Sequence, residues 1–450
     1  MPPSLPDHTP HSAALDRARS KAYWRLLPLL FVSYMIAYVD RQNVAVAKLT
    51  MTKDLAGFDN AVIGIGAGIF YIGYVLLEIP GTLMVERWSA RKWICRIMIT
   101  WGMMAGLTAA VTTPWQFYTV RFLLGLAEAG FFPGVIVYLT HWFPSRDRAR
   151  ALAIFLVAAP LAQILSPFVS FELLKIGADT AHPALLGMVG WQWVYVFWAL
   201  PALLLGGFVF YKLVDKPAHA AWLTDEEKLA LQNELERERG LTSRGKRLTV
   251  LEALQHPQVL LLALAYFCMT TGSIGMELFM TSILKDWYQL KDDTLKWLIT
   301  LPPAAALVGQ LVAGWSSDRH KERRWHAIVP IILGSVSLGL LPQTQGNLVL
   351  TVVCFMAAFT GFKSYMPAFW ALPNLFLTAA AAAGSIGLIN SLGNLGGFCG
   401  STLLGTVEKM TGSYVGGLYY MCCSALVSAS IIFSFFAMRK KAADSDDVKT

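Results

Sequence analysis

Apolar residues in this chain run in about twelve blocks, each close to the roughly 20 residues that a helix needs to cross a bilayer. They fall at about 24–46, 61–85, 93–112, 115–143, 149–175, 191–213, 257–284, 294–316, 325–342, 347–370, 376–405 and 413–438. Helices around a soluble core would alternate apolar and polar faces, and these blocks do not. With 55% hydrophobic and 15% charged residues among 450, the composition agrees. The expected fold class is an all-α membrane protein of twelve transmembrane helices.

Lysine and arginine in short loops are retained on the cytoplasmic side. One alternate set of loops holds Arg17, Arg19, Lys21 and Arg25, then Arg87, Arg91 and Lys92, then Arg146, Arg148 and Arg150. The set continues with Arg319, Lys321, Arg323 and Arg324 and ends at Arg439, Lys440 and Lys441. The other loops hold little beyond Lys48, Lys53, Lys175, Lys285, Lys291, Lys296 and Lys409. Both termini are therefore expected in the cytoplasm, with the chain in the cell (inner) membrane. This bias accounts for the net charge of +8, so basicity gives no reason to expect a nucleic-acid partner.

Ala45-Val46-Ala47 resembles a signal-peptide cleavage site, but the preceding run is too long and Asp40-Arg41 are atypical there, so no cleavage is expected. The six cysteines lie in or beside apolar blocks without a CxxC pair and read as small hydrophobes. Because no histidine lies mid-span, no metal site is expected. Charge rises over 214–256, where Thr224-x-x-Glu227 and Thr249-x-x-Glu252 have the form of capping boxes, each opening a short helix. The expected organisation is a tail at 1–22, a six-helix bundle at 23–213, a cytoplasmic linker at 214–256, a second bundle at 257–438 and a tail at 439–450.

Two of the blocks carry a pair of charges deep inside them: Asp40 and Arg41 in the first, Arg121 and Glu128 in the fourth. Near the middle of a membrane each costs about 2.5–3.5 kcal/mol, so such residues pair or face a water-filled cavity. Arg121 and Glu128 are i, i+7, which places them on one helix face about 10 Å apart. Asp40 and Arg41 are adjacent and about 100° apart around their helix, so only one of them points straight into a cavity. Arginine suits a carboxylate because its planar fork donates two parallel hydrogen bonds. Carboxylates beside it either neutralise it when no anion is bound or take up protons when an anion replaces them. That equipment points to a proton-coupled carrier of organic anions, with protons as the coupling ion and no other cofactor.

A weak internal repeat links the halves. Gly81-x-x-x-Val85-Glu86-Arg87 is followed by Arg91-Lys92, and Gly314-x-x-x-Asp318-Arg319 by Arg323-Arg324. These residues resemble the signature of the major facilitator superfamily, with Glu86 in place of the usual aspartate. The resemblance implies two pseudo-symmetric six-helix bundles rocking around a central site. It also implies a cytoplasmic gate, here Glu78, Glu86, Arg87, Arg91, Asp318 and Arg319. Asp40-Arg41-x-Asn43, the set Arg121, Gly125, Glu128 and Pro133, Phe369-Trp370-Ala371-Leu372-Pro373, and the run from Leu388 to Gly397 are similar to the anion:cation symporters of that superfamily. That family transports tartrate, sugar acids and aromatic carboxylates, so a small organic anion is the substrate implied.

Proton coupling is then expected at Asp40 and Glu128, and substrate binding at Arg41, Arg121, Tyr38, Tyr74, Trp370 and Asn390. Asn43 and Asn394 are secondary candidates, Asn394 as a hydrogen bond between helices. The chain departs from the family at Lys363 in the tenth block and Glu277 in the seventh. In a two-fold repeat these blocks correspond to the fourth and first. Either the two residues neutralise each other across the cavity, or Lys363 binds a second carboxylate. No nucleotide-binding loop, H-E-x-x-H or G-x-S-x-G occurs, so an ATP-driven pump or a membrane hydrolase has no engine. Export of another molecule by proton antiport and a transport-inactive nutrient receptor are the alternatives. The lipid bilayer is the one other partner expected, with the carrier acting as a monomer.

Overall fold

The computed structural model describes residues 10–180, 182–242, 252, 255–377 and 379–447. Long helices account for nearly all of it, and among the described residues there is no β-sheet. In chain order we number the membrane-length helices α1 (Pro10–Asp54), α2 (Asn60–Arg87), α3 (Ala90–Leu107), α4 (Pro114–Glu128 and Phe131–Trp142), α5 (Ser145–Leu156 and Ala158–Leu174) and α6 (Gly190–Lys212). They continue as α7 (Pro257–Tyr288), α8 (Asp292–Leu298 and Leu301–His320), α9 (Arg324–Leu340), α10 (Leu348–Ser364 and Met366–Phe369), α11 (Ala379–Thr411) and α12 (Val415–Asp447). Eleven of these are long and apolar enough to cross a membrane by their described residues, and α11, at 33 residues, has the length of the twelfth. The chain is an integral, multi-pass membrane protein built as two six-helix halves.

Local chemistry sets the helix ends. Asp59 caps α2 by accepting from the Val62 N–H, Ser89 caps α3 through Lys92, and Asn347 caps α10 through Leu350. Thr113 and Gln116 form a reciprocal capping box at the start of α4, with Pro114 in its first turn. Immediately after Glu128 that helix breaks at Gly130, whose φ of +84° favours glycine. Gly81 of α2 also approaches there, so a Cβ on Gly130 would lie 3.1 Å from the Gly81 Cα. The break therefore fixes both the end of the Glu128 segment and its distance from α2.

The first helix runs well beyond the apolar block expected at 24–46. Its polar start is held by charge: Arg19 pairs with Asp147 of α5, and Lys21 Nζ donates to both Glu227 oxygens at 2.7 and 2.8 Å. Glu227 opens the connecting helix Asp225–Thr242, where it forms the expected capping box with Thr224. The second such motif, at Thr249, lies outside the described residues. At its other end α1 continues to Asp54, so Lys48 is a helical residue with 1% of its surface exposed. This corrects its assignment to a loop.

Contacts between the halves gather at the membrane face opposite the termini. There Lys409 meets Asp59 at 3.0 Å, Lys296 meets Glu172 at 2.7 Å and Phe168 packs edge-on against Trp297. Asn60 donates to the Tyr414 hydroxyl, which itself donates to Asp286 at 2.6 Å. Lys48 lies over the Phe279 ring, 3.7 Å from its centre.

Candidate functional site

Arg41 is the member of the adjacent pair that turns toward α4. Its Nε donates to Glu128 Oε1 at 2.5 Å, and Glu128 is 1% exposed. Asp40 turns into the first half. Its Oδ2 accepts from Trp101 Nε1 of α3 at 2.7 Å and its Oδ1 from Asn43 Nδ2 at 3.1 Å. The two carboxylates thus occupy different surroundings, one against a guanidinium group and one against neutral donors.

Arg121 lies on the same face of α4 as Glu128, one aromatic ring away from Arg41. The Phe70 ring of α2 is 5.5 Å from the Arg41 guanidinium carbon and 5.1 Å from that of Arg121. Tyr74, one turn further along α2, lies 4.9 Å from Arg41. The ring faces hold the cations without consuming their N–H donors. Arg121 Nε reaches the Gly66 carbonyl at 3.4 Å, but its Nη1 is buried with no hydrogen-bond partner in the protein. Leaving such a donor unsatisfied is costly, and charge-assisted bonds to a carboxylate would satisfy it.

A second acid–base pair stands in the other half. Lys363 Nζ of α10 donates to Glu277 Oε1 of α7 at 2.5 Å. The other oxygen, Oε2, accepts from Gln42 Nε2 of α1 at 3.2 Å and from Gln163 Nε2 of α5 at 2.9 Å. Gln42, Gln163 and Glu277 line a cavity of about 40 Å³ together with Asn43, Ser166 and Thr281. That volume admits little more than a water molecule.

Glu78 links α2 to α11, since its carboxylate accepts from Asn390 Nδ2 at 2.5 Å and from Ser391 Oγ at 2.7 Å. It is 3% exposed and part of the central contact between halves. Tyr38 packs edge-on to Tyr34 with ring centres 6.2 Å apart, and Trp370 edge-on to Tyr266 at 5.0 Å. Asn394 is half-buried on α11, one turn beyond Asn390.

Among the residues expected at the gate, the side chains of Glu86 and Arg87 lie outside the described part. Of the others, Glu78 reaches across to α11 as above, while Arg91, Asp318 and Arg319 make contacts within their own half: Arg91 N–H donates to Asp215, Asp318 pairs with Arg323, and Arg319 stacks over Trp315.

The arrangement has the build of a carrier, and the sequence comparisons decide its family. The Major Facilitator Superfamily model matches residues 30–401. The chain belongs to the Major Facilitator Superfamily. Within it, the chain is 38% identical over 95% of its length to a protein of Agrobacterium vitis named for tartrate transport, covering 93% of that protein. A quinolone resistance transporter of Acinetobacter baumannii is 36% identical over 92% of this chain and 94% of its own. The fold is shared with the crystal structure of a D-xylose-proton symporter, with a TM-score of 0.73 over 92% of this chain and 97% of that one, at 14% identity. This facilitator is a membrane transporter.

Several residues of the site were not singled out in the sequence. Phe70, shared by the two arginines, is the i−4 neighbour of Tyr74 and could have been found by extending that face. Gln42 and Gln163 are polar residues inside apolar blocks, which is the signal that revealed the charges. Trp101 carries no such mark, because an indole inside a span reads as apolar until its N–H meets Asp40.

Proposed function

We propose that this facilitator is a proton-coupled symporter that takes up a small organic anion, of the hydroxy-acid, sugar-acid or aromatic carboxylate class, working as a monomer in the inner membrane. The observation that carries the reading is the buried Arg121 N–H without an acceptor, set across Phe70 from an arginine already neutralised by Glu128. An incoming carboxylate supplies that acceptor and competes with Glu128 for Arg41. Glu128 is released from its ion pair and takes up a proton, which keeps the number of buried charges constant. Asp40 is the second carboxylate available for protonation.

With the termini in the cytoplasm, the face closed by the Lys409–Asp59 and Lys296–Glu172 pairs is the external one. Importing a lone anion against an inside-negative potential costs about 2.3 kcal/mol per charge per 100 mV. Symport of protons that match the substrate charge removes that penalty. The relative named for tartrate transport supports the substrate class.

The test is uptake of radiolabelled tartrate, gluconate and benzoate into proteoliposomes carrying an imposed gradient, acid outside. Accumulation above equilibrium that collapses with a protonophore is expected for at least one of them. The quinolone resistance relative favours a second reading, proton-driven export. Extrusion of a labelled quinolone under the same gradient, without accumulation of any acid, would establish it in place of the first.

A further inference from the structure

The two buried acid–base pairs occupy matching places in the two halves, with their signs exchanged. In the first half the base is on α1 (Arg41) and the acid on α4 (Glu128). In the second half the acid is on α7 (Glu277) and the base on α10 (Lys363), each pair closing at 2.5 Å. Since α7 and α10 are the repeat counterparts of α1 and α4, the transporter carries one exchangeable ion pair per half. Gln42, the residue after Arg41 on α1, donates to Glu277 Oε2 at 3.2 Å, which places the two pairs around one central space.

The division of contacts on Glu277 shows how its pair can open. One oxygen is held by the Lys363 ammonium alone; the other accepts from Gln42 and Gln163 on the opposite half. A proton arriving on Oε1 turns that oxygen into a donor and releases the ammonium. Oε2 keeps both amide bonds, so the side chain stays anchored between the halves. Lys363 is left charged, buried and unpaired, a state that a carboxylate on the substrate relieves. The other titratable groups facing this pair are Tyr34 and Tyr38 of α1, Tyr71 of α2 and Tyr266 of α7.

We infer that Lys363 and Glu277 form a second, proton-exchangeable carboxylate site, so that the substrate is a compact dicarboxylate bound between the halves and carried with two protons. The inference rests on the proposed anion symport and adds its substrate class and stoichiometry. Each carboxylate of the dianion displaces one acid from one base, and each displaced acid takes one proton. The loaded carrier is electrically equivalent to the unloaded one.

The test compares tartrate with glycerate, a related monocarboxylate, in proteoliposomes with a clamped membrane potential. Proton coupling is read from the reversal of net flux. Wild type is expected to move two protons per tartrate. The double variant Lys363→Met with Glu277→Gln removes both charges together, so no buried charge is left alone. It is expected to move one proton per tartrate and to lower the ratio of tartrate to glycerate affinity at least thirtyfold. Glycerate transport by the same preparation reports that the variant is folded. An unchanged ratio and coupling, or equal loss of both substrates, would overturn the second site alone. Wild type that accumulates gluconate or benzoate but not tartrate would overturn this inference alone, and failure to accumulate any of these acids would overturn the symport reading and this inference with it.

Discussion

Arg121 keeps a donor buried without an acceptor, which costs about 1–3 kcal/mol and is recovered when a carboxylate arrives. Lysine at that position retains the charge but not the planar fork. Arg121→Lys is therefore expected to weaken substrate binding about 10- to 100-fold, as read by calorimetry on the purified carrier. Affinity unchanged within a factor of two would show that Arg121 holds the bundle together instead. At this scale the sequence was informative about which side chains are out of place in a membrane and less so about where they turn. The adjacency of Asp40 and Arg41 showed that they diverge; only the packing of α3 and α4 shows that Trp101 donates to Asp40 while Arg41 donates to Glu128. Lys48 misled because a lysine near the end of an apolar run reads as the start of a loop. The helix instead continues and buries its amine over Phe279.

Helix α2 packs backbone to backbone on α11 at the closed face, where a Cβ on Gly64 would stand 2.3 Å from the Ser401 carbonyl oxygen. Gly64→Ala is expected to force the two helices apart and favour the conformation open on that face. The measure is maleimide labelling of Ser166→Cys, a cavity-lining position, from that side in a background lacking the native cysteines. Labelling several-fold faster than in the Gly64 parent is expected, and an unchanged rate would contradict the account. Asp59 clamps the same pair of helices through Lys409. Partial burial works to raise its carboxyl pKa, but the Val62 N–H and Lys409 outweigh it and hold the group below its ordinary value. A depressed acid contributes its stability above its unfolded pKa and loses it only as pH falls through the still lower folded one. The clamp is therefore charged throughout pH 5–7. Asp59→Asn is expected to leave the midpoint of the pH dependence of uptake in place, and a shifted midpoint would assign proton sensing to Asp59. The membrane helices were readable from apolar blocks alone, whereas their ends were not, unlike the capped start of the connecting helix at Thr224. The polar first turns of α1 exist because Arg19 and Lys21 find acids on α5 and the connecting helix, partners that no local pattern announces.

Across the whole molecule, the two halves meet at one membrane face and at a central layer of buried charge, the geometry that alternating access requires. The repeat was visible in the sequence as two glycine, acid-arginine and basic-pair turns. Its deeper counterpart, charges on equivalent helices of each half, was also legible, with pairing of Lys363 and Glu277 as one of two readings; that Arg41 closes on Glu128 and Lys363 on Glu277 emerged only when α1 met α4 and α7 met α10. The central claim is that release of Glu128 from Arg41 couples proton uptake to substrate. Glu128→Gln tests it most directly, because glutamine preserves the shape of the side chain and removes its proton. In proteoliposomes loaded with unlabelled substrate, the variant is expected to exchange labelled substrate across the membrane. Under an imposed pH gradient with no internal substrate, it is expected to show no accumulation above equilibrium. Accumulation at the wild-type level under that gradient would contradict the account.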